Sequence, residues 1–242
     1  MSADLNSGRD AILGRIREAL KLSAPMPGDH GPMTDVATDH VHEPTNASRA
    51  AEIRGWLPSA GANWEENAQL FARNSADLKT EFLRCATKAA AQEALKKLAT
   101  TEKWSRIAFH RTPLIADAVS ALNLPALETK FGYDVNALER CDVGISACDA
   151  LIAQTGTILL TTTSGGGRAL SVLPPHHVVI ATRAQLLPDL SSAYELVAQT
   201  YGKTLPSFIT LITGPSRTGD IERILVLGAH GPKKLTVMLI EE

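Results

Sequence analysis

Cysteine is scarce in this 242-residue chain: Cys85, Cys141 and Cys148 are all it has. Three thiols neither pair off evenly nor show C-x-x-C spacing, which argues against a disulfide framework and for a reducing compartment. They are also too few for an intrinsic iron–sulfur cluster, which takes four thiolates in recognisable runs. Cys141 and Cys148 therefore read as ordinary cysteines, and neither a metal nor a cofactor is expected. Aromatics are few, with three Tyr, five Phe and three Trp. Basic residues come without a block: Lys+Arg 24 against Asp+Glu 26 leaves a formal net charge of −2. A chain with so little to stack bases on and no positive stripe is not expected to bind nucleic acid. No apolar run approaches the ~18–20 residues that span a bilayer, and no secretory signal pattern opens the chain. A cytoplasmic protein without a membrane segment is the expectation.

What the chain does have is enough apolar content, 44%, to bury a core, with 21% charged residues to keep it dissolved. Residues 10–22 predict a short amphipathic helix, with Ile12, Leu13, Ile16 and Leu20 on one stripe. Residues 23–47 are rich in Pro, Gly, Asp and His and poor in large apolar side chains, a composition that cannot offset the entropy of ordering. The expected organisation is a helical arm over 1–22, a flexible linker over 23–47 and an α/β body over 48–242. Within the body, Ala, Leu, Glu and Lys content predicts helices over 64–77 and 88–99, with further helices over 113–122 and 188–201. Strands are predicted over 81–85, 106–110, 149–153, 157–163, 177–181, 208–212, 224–227 and 235–240. Strands alternating with helices at this spacing predict a parallel or mixed sheet covered on both faces.

The polar chemistry gathers on glycine-punctuated turns that follow apolar runs. Near the C-terminus stand Thr213-Gly214-Pro215-Ser216-Arg217-Thr218-Gly219-Asp220-Ile221-Glu222 and Gly228-Ala229-His230-Gly231-Pro232. Gly and Pro demand turns there, while Ser216, Arg217, Thr218, Asp220 and His230 supply donors, acceptors and charge. Upstream, Gly165-Gly166-Gly167-Arg168 can bring backbone N–H groups and a guanidinium fork to an anion. Gln154-Thr155-Gly156 fits a tight corner between two strands, with Gly156 supplying a positive φ. His177 and His230 each sit beside Pro or Gly or at the edge of an apolar strand, where an imidazole can act as acid, base or donor. His110 and His176 read as structural. The expected site is a cleft for a small carboxylate or phosphate in which Arg168, Arg217 and His230 converge.

These segments resemble, in order, those of the lactate-utilization (LUD) domain family. The carriers are the 214–222 and 227–232 stretches, the 149–157 stretch, and Arg168 followed by Pro174-Pro175-His176-His177. The resemblance is dense from about Gly144 to Ile240 and looser before that. It implies a doubly wound sheet like that of phosphosugar isomerases and CoA transferases, with a ligand cleft beyond the strand ends. It also implies a part in L-lactate utilization, in which three proteins together oxidise L-lactate to pyruvate and the iron–sulfur clusters belong to partner subunits. On that reading the chain is a non-cluster subunit or accessory protein, binding a small anionic metabolite or its iron–sulfur partners. Whether it is itself an enzyme, and whether it forms a homo-oligomer, stay open. The alternative is a stand-alone isomerase or acyl/CoA transferase acting on a phosphorylated or carboxylated metabolite. Gln154 stands where the family usually carries Glu, and an amide neither ionises nor attacks, which counts against a nucleophilic transferase.

Overall fold

A computed structural model describes residues 13–15, 17, 18, 21, 58–129, 134–219, 225–228 and 230–242, with 218, 219 and 225–227 through their backbone. Its contacts divide the chain into two units, 1–52 and 53–242. In the first, residues 13–15, 17 and 18 are helical, and the Lys21 N–H donates to the Glu18 carbonyl at 3.1 Å. The linker assigned to 23–47 lies outside the described residues.

The second unit is built on a six-stranded sheet: β1 (Glu81–Cys85), β2 (Ile107–Phe109), β3 (Ala126–Glu128), β4 (Val143–Ser146), β7 (His176–Thr182) and β12 (Lys234–Ile240). Its order is β1-β12-β7-β4-β2-β3, and every neighbouring pair is parallel. Helices α1 (Trp64–Asp77), α2 (Lys88–Glu102) and α3 (Pro113–Ser120) each start on an Asn or Thr whose side chain accepts a backbone N–H of the first turn. Pro113 begins α3, where its missing N–H costs nothing.

Alternation along β7 separates the two faces of this sheet. Val178 and Ile180 join Leu95, Ile107 and Ile115 in the core under α2 and α3. Val179 and Ala181 join Phe71, Leu151, Ile158 and Leu239 in a second core on the opposite face. That face is covered by α1 and by a second, four-stranded sheet: β5 (Ala150–Ile152), β6 (Thr157–Thr161), β8 (Leu186–Leu187) and β9 (Ile209–Ile212), in the order β8-β5-β6-β9. Helix α6 (Leu190–Tyr201) packs on the outer side of this sheet through Leu190, Ala193, Leu196 and Val197. Two strands, β10 (Arg217–Gly219) and β11 (Leu225–Leu227), pair antiparallel. Two short helices complete the unit: α4 (Val135–Glu139) and α5 (Thr162–Gly165).

The sheet is thus mostly parallel and covered on both faces, as the alternation of elements predicts. The second sheet is where the pattern differs, because β5, β6 and β9 pair antiparallel, β5 and β6 through a tight hairpin. The predicted strand over 157–163 stops at Thr161, since Thr161 turns to cap α5: its side chain accepts from Thr163 and Ser164, and the Ser164 hydroxyl accepts from the Thr161 N–H. Among the described residues no helix is long and apolar enough to cross a membrane.

Candidate functional site

The sequence places His176 and His177 side by side, and strand pleating sends them to opposite faces. His176 meets Trp104 edge-on, at 5.5 Å between ring centroids, and sets its Nε2 2.9 Å from the Thr236 hydroxyl. Because that hydroxyl donates to Glu81, its oxygen is left to accept, which puts the His176 proton on Nε2. His177 turns to the other face, with Nε2 2.9 Å from the hydroxyl of Ser146. Both residues of this pair are buried, His177 being 1% exposed. The Ser146 hydroxyl and His177 Nε2 share this one hydrogen bond, and the buried His177 Nδ1 has no partner among the described residues. Burial first, and then the neighbouring His176, push the His177 pKa down to about 3; burial brings His176 down to about 4. Both imidazoles are neutral at physiological pH, hydrogen-bonding groups rather than cations.

Beside His177 lies a cavity of about 280 Å3, between the amino ends of β7 and β12 and strand β9. Leu235, Val172, Phe208 and Ile212 give it apolar walls, while Thr213, Ser216 and His230 bring polar groups. Three of the residues singled out in the sequence, His177, Ser216 and His230, line this one cavity. Loop hydrogen bonds hold its rim: Ser216 N–H to the Pro232 carbonyl and Gly228 N–H to the Ser216 carbonyl, both 2.9 Å. The resemblance implies a cleft beyond the strand ends, and this cavity stands at the amino ends of the parallel strands.

The other candidates have different surroundings. Arg168 is exposed and donates to the Ser207 carbonyl at 2.7 Å, tying the glycine-rich loop to the approach of β9. Gly166, at φ 68°, lies so close to His110 that a Cβ there would stand 2.5 Å from the His110 Cβ. Gly167 follows it, donating its N–H to the Thr162 carbonyl. Neither Arg168 nor Arg217 lines the cavity; Arg217 is exposed and lays Nη2 3.2 Å from where a Cβ on Gly214, a lining residue, would stand. Thr218 contributes its backbone to β10, opposite Val226, and Asp220 lies outside the described residues.

Gln154, Thr155 and Gly156 form the turn between β5 and β6, a single 3-10 turn closed by Gly156 at φ 63°. The turn packs on the last turn of α1, where Asn74 donates to the carbonyls of Ala153 (2.8 Å) and Gln154 (3.1 Å). The Gln154 amide is engaged at both ends: Nε2 donates to the Pro58 carbonyl at 2.6 Å, and Oε1 accepts from Leu190 N–H at 3.4 Å. Thr155 Oγ1 is buried without a partner. Thr157 and Thr213 meet hydroxyl to hydroxyl at 2.8 Å, so the turn motif and the C-terminal motif are joined although they are not in one cavity.

Two polar assemblies escape a reading of the sequence. One is the Ser146–His177 pair, whose serine lies in a short strand with no signal of its own. The other centres on Asp149, whose carboxylate accepts from the Tyr201 hydroxyl at 2.5 Å, from Ser164, and from Thr161 at 3.4 Å. It binds the hairpin, α5 and the end of α6 together, and with burial it raises the Tyr201 pKa.

A family model for the LUD domain matches residues 68–240. Among curated relatives, lactate utilization protein C of Bacillus subtilis is 34% identical over 111 residues, 45% of this chain and 46% of that protein. The protein of the same name from Halalkalibacterium halodurans is 37% identical over 110 residues, again 45% of this chain and 48% of the relative. The chain thus spans about half the length of the curated relatives it matches. A crystal structure of a DUF162 family protein from Deinococcus radiodurans shares the fold: TM-score 0.59, 22% identity, covering 74% of this chain and 99% of the other.

Proposed function

The chain belongs to the LUD domain family, and from that premise we propose that it serves L-lactate utilization as a subunit or accessory protein without an iron–sulfur cluster of its own. The pathway is the one in the relatives' name, the cluster-bearing partners are those the family resemblance implies, and the cysteines fit that division of labour. Cys85 lies in the core under α2 and α3, Cys148 in the core under α1, and Cys141 in a third cluster with Ala108, Leu138 and Leu170. All three are buried, and burial raises each thiol pKa, so they are packed as small apolar residues rather than gathered as ligands. The two-electron oxidation of L-lactate to pyruvate, with the electrons passed to the clusters, is then the work of cluster-bearing partner subunits in the cytoplasm. The part left to this chain is to bind those partners or a small anionic metabolite. The all-parallel sheet with a second sheet on one face is consistent with an architecture like that of phosphosugar isomerases and CoA transferases.

For the metabolite, the cavity beside His177 offers the hydroxyls of Thr213 and Ser216 and the His230 ring. No Lys, Arg, Asp or Glu lines it among the described residues. A small carboxylate held by neutral hydrogen bonds binds weakly, near about millimolar. Arg217, beside Gly214, is a cation in reach of the rim, and the Lys233 side chain lies along Gly228. The transferase alternative loses support from Gln154, whose amide is occupied at both ends.

The test is reconstitution. Coexpressed with cysteine-rich partner subunits, the chain should co-purify with them, the iron should follow the partners, and lactate-dependent dye reduction should fall when it is omitted. Full lactate oxidation without the chain, together with no association, would overturn the proposal. For the cavity, Arg217→Ala should weaken lactate or pyruvate binding about tenfold, as loss of one charge-assisted hydrogen bond does, with the fold intact.

A further inference from the structure

Strand β9 is an edge. It pairs with β6 on one side, and no described strand pairs with it on the other. The Thr162 N–H donates to the Phe208 carbonyl, and antiparallel alternation then turns Thr210 and Ile212 toward β6. The N–H and C=O of Ile209 and Leu211 therefore point to the open side. Their side chains, 38% and 39% exposed, stand on the outer face of the sheet. Natural edges are guarded by Lys, Pro or a bulge, because unpaired backbone is a template for another strand. The sequence Ile209-Thr210-Leu211-Ile212 carries none of those residues.

Cavities flank this edge on both faces. The outer one, about 500 Å3, is walled by Tyr194, Val197 and Leu205 together with Ile209 and Leu211. The inner one, about 280 Å3, also touches Thr210 and Leu211. Neither has a Lys, Arg, Asp or Glu in its wall. Tyr194 and Leu205 leave 63% and 59% of their surface exposed, so the apolar face continues past the strand.

We propose that β9 is a self-association edge, at which two copies of the chain pair β9 with β9 antiparallel and join their four-stranded sheets into one of eight. The occupant is a second copy because a two-fold contact sets each side chain against its own kind. A charged strand would repel itself, whereas Ile209–Ile212 and the walls of the two cavities beside it carry no formal charge. A two-fold axis perpendicular to the sheet keeps Ile209 and Leu211 of both copies on the outer side, toward the larger apolar cavity. Thr210 then falls on the smaller, inner side. This pairing stands independently of the role in lactate utilization.

Sedimentation of the full chain across micromolar concentrations should give twice the 25.8 kDa chain mass. Leu211→Pro removes an N–H that faces the open side and leaves the β6 ladder whole, so it should yield a monomer with unchanged melting temperature. Leu211→Lys sets two ammonium groups against each other across the axis and should weaken the dimer by more than about tenfold. It serves alone if the proline variant does not fold. A monomeric wild-type chain overturns the proposal, and so does a dimer that both folded variants leave intact.

Discussion

Gln154 shows what one atom changes. Its amide nitrogen donates to the Pro58 carbonyl, a bond that an ionised carboxylate cannot make. Gln154→Glu should cost about 1–3 kcal/mol at pH 7, the price of leaving a buried group unsatisfied. Facing a carbonyl in a buried setting, the new carboxyl would carry a raised pKa in the folded state. The penalty should therefore fade as pH drops toward the unfolded value of about 4.3 and grow as pH rises through the folded one. Denaturant unfolding of both proteins at pH 7 and in mild acid checks this.

His176 and His177 carry the opposite dependence. Their folded pKa values, about 4 and about 3, lie below the ordinary histidine value of 6.5. Folding favours the neutral rings, so their contribution is complete above pH 6.5 and is lost as pH falls toward 4 and 3. Each should remove up to about 1.4 kcal/mol per pH unit in that window. Stability measured against pH should flatten between 6.5 and 4 in His177→Asn. An unchanged slope would show that the buried imidazole is not the group responsible. The sequence marks His177 as chemically eligible, but its buried serine partner comes from a different strand and is beyond any local pattern.

At the scale of elements, α1 and β1 have the bounds that the sequence predicts, because periodicity and a cap define them locally. Helix α5 was not legible: Thr162-Thr163-Ser164-Gly165 has poor helix propensity and exists through its capping box. Strand β4 is four buried residues, too short for period to speak. The glycines at 156 and 166 announce turns correctly, yet what each turn rests on depends on a distant element. Gly156→Ala would put a Cβ 2.8 Å from the Asn74 Cβ at a positive φ, and should lower stability by about 1–3 kcal/mol. Asn74→Ala should cost a similar amount, about 1–3 kcal/mol, since it takes a donor from the Ala153 carbonyl and leaves the Gln154 carbonyl without its side-chain partner. Thermal melts of the two single variants and the double should show a combined effect smaller than the sum, because both act on one contact.

For the whole molecule, the division into an arm, a linker and a body is read from composition. We propose that the arm over 1–22 docks on a partner subunit. Removing residues 1–46 should leave the melting temperature and the β9 pairing of the body unchanged while lowering recovery of the iron–sulfur partners in co-purification. A large fall in melting temperature would instead place the arm in the core. The same limit governs the site. The sequence identifies polar turns, but three of the selected side chains reach one cavity and Arg168 ends on a backbone carbonyl. Where a loop aims is set by the element it lands on.

The three buried thiols give the protein a set of internal clocks. A thiol enclosed in its own cluster, with its thiolate form disfavoured, reacts with an alkylating reagent only when that cluster opens. Where opening and reclosing outpace the reagent, the labelling rate reads the local opening free energy. Cys85 times the α2–α3 face, Cys148 the α1 face, and Cys141 the small cluster around Leu138 and Leu170. Three equal rates would mean that the body opens as one cooperative unit. A faster Cys141 would identify the edge of the sheet near α4 as the first to part, and mass spectrometry of the labelled peptides would tell them apart without a single mutation.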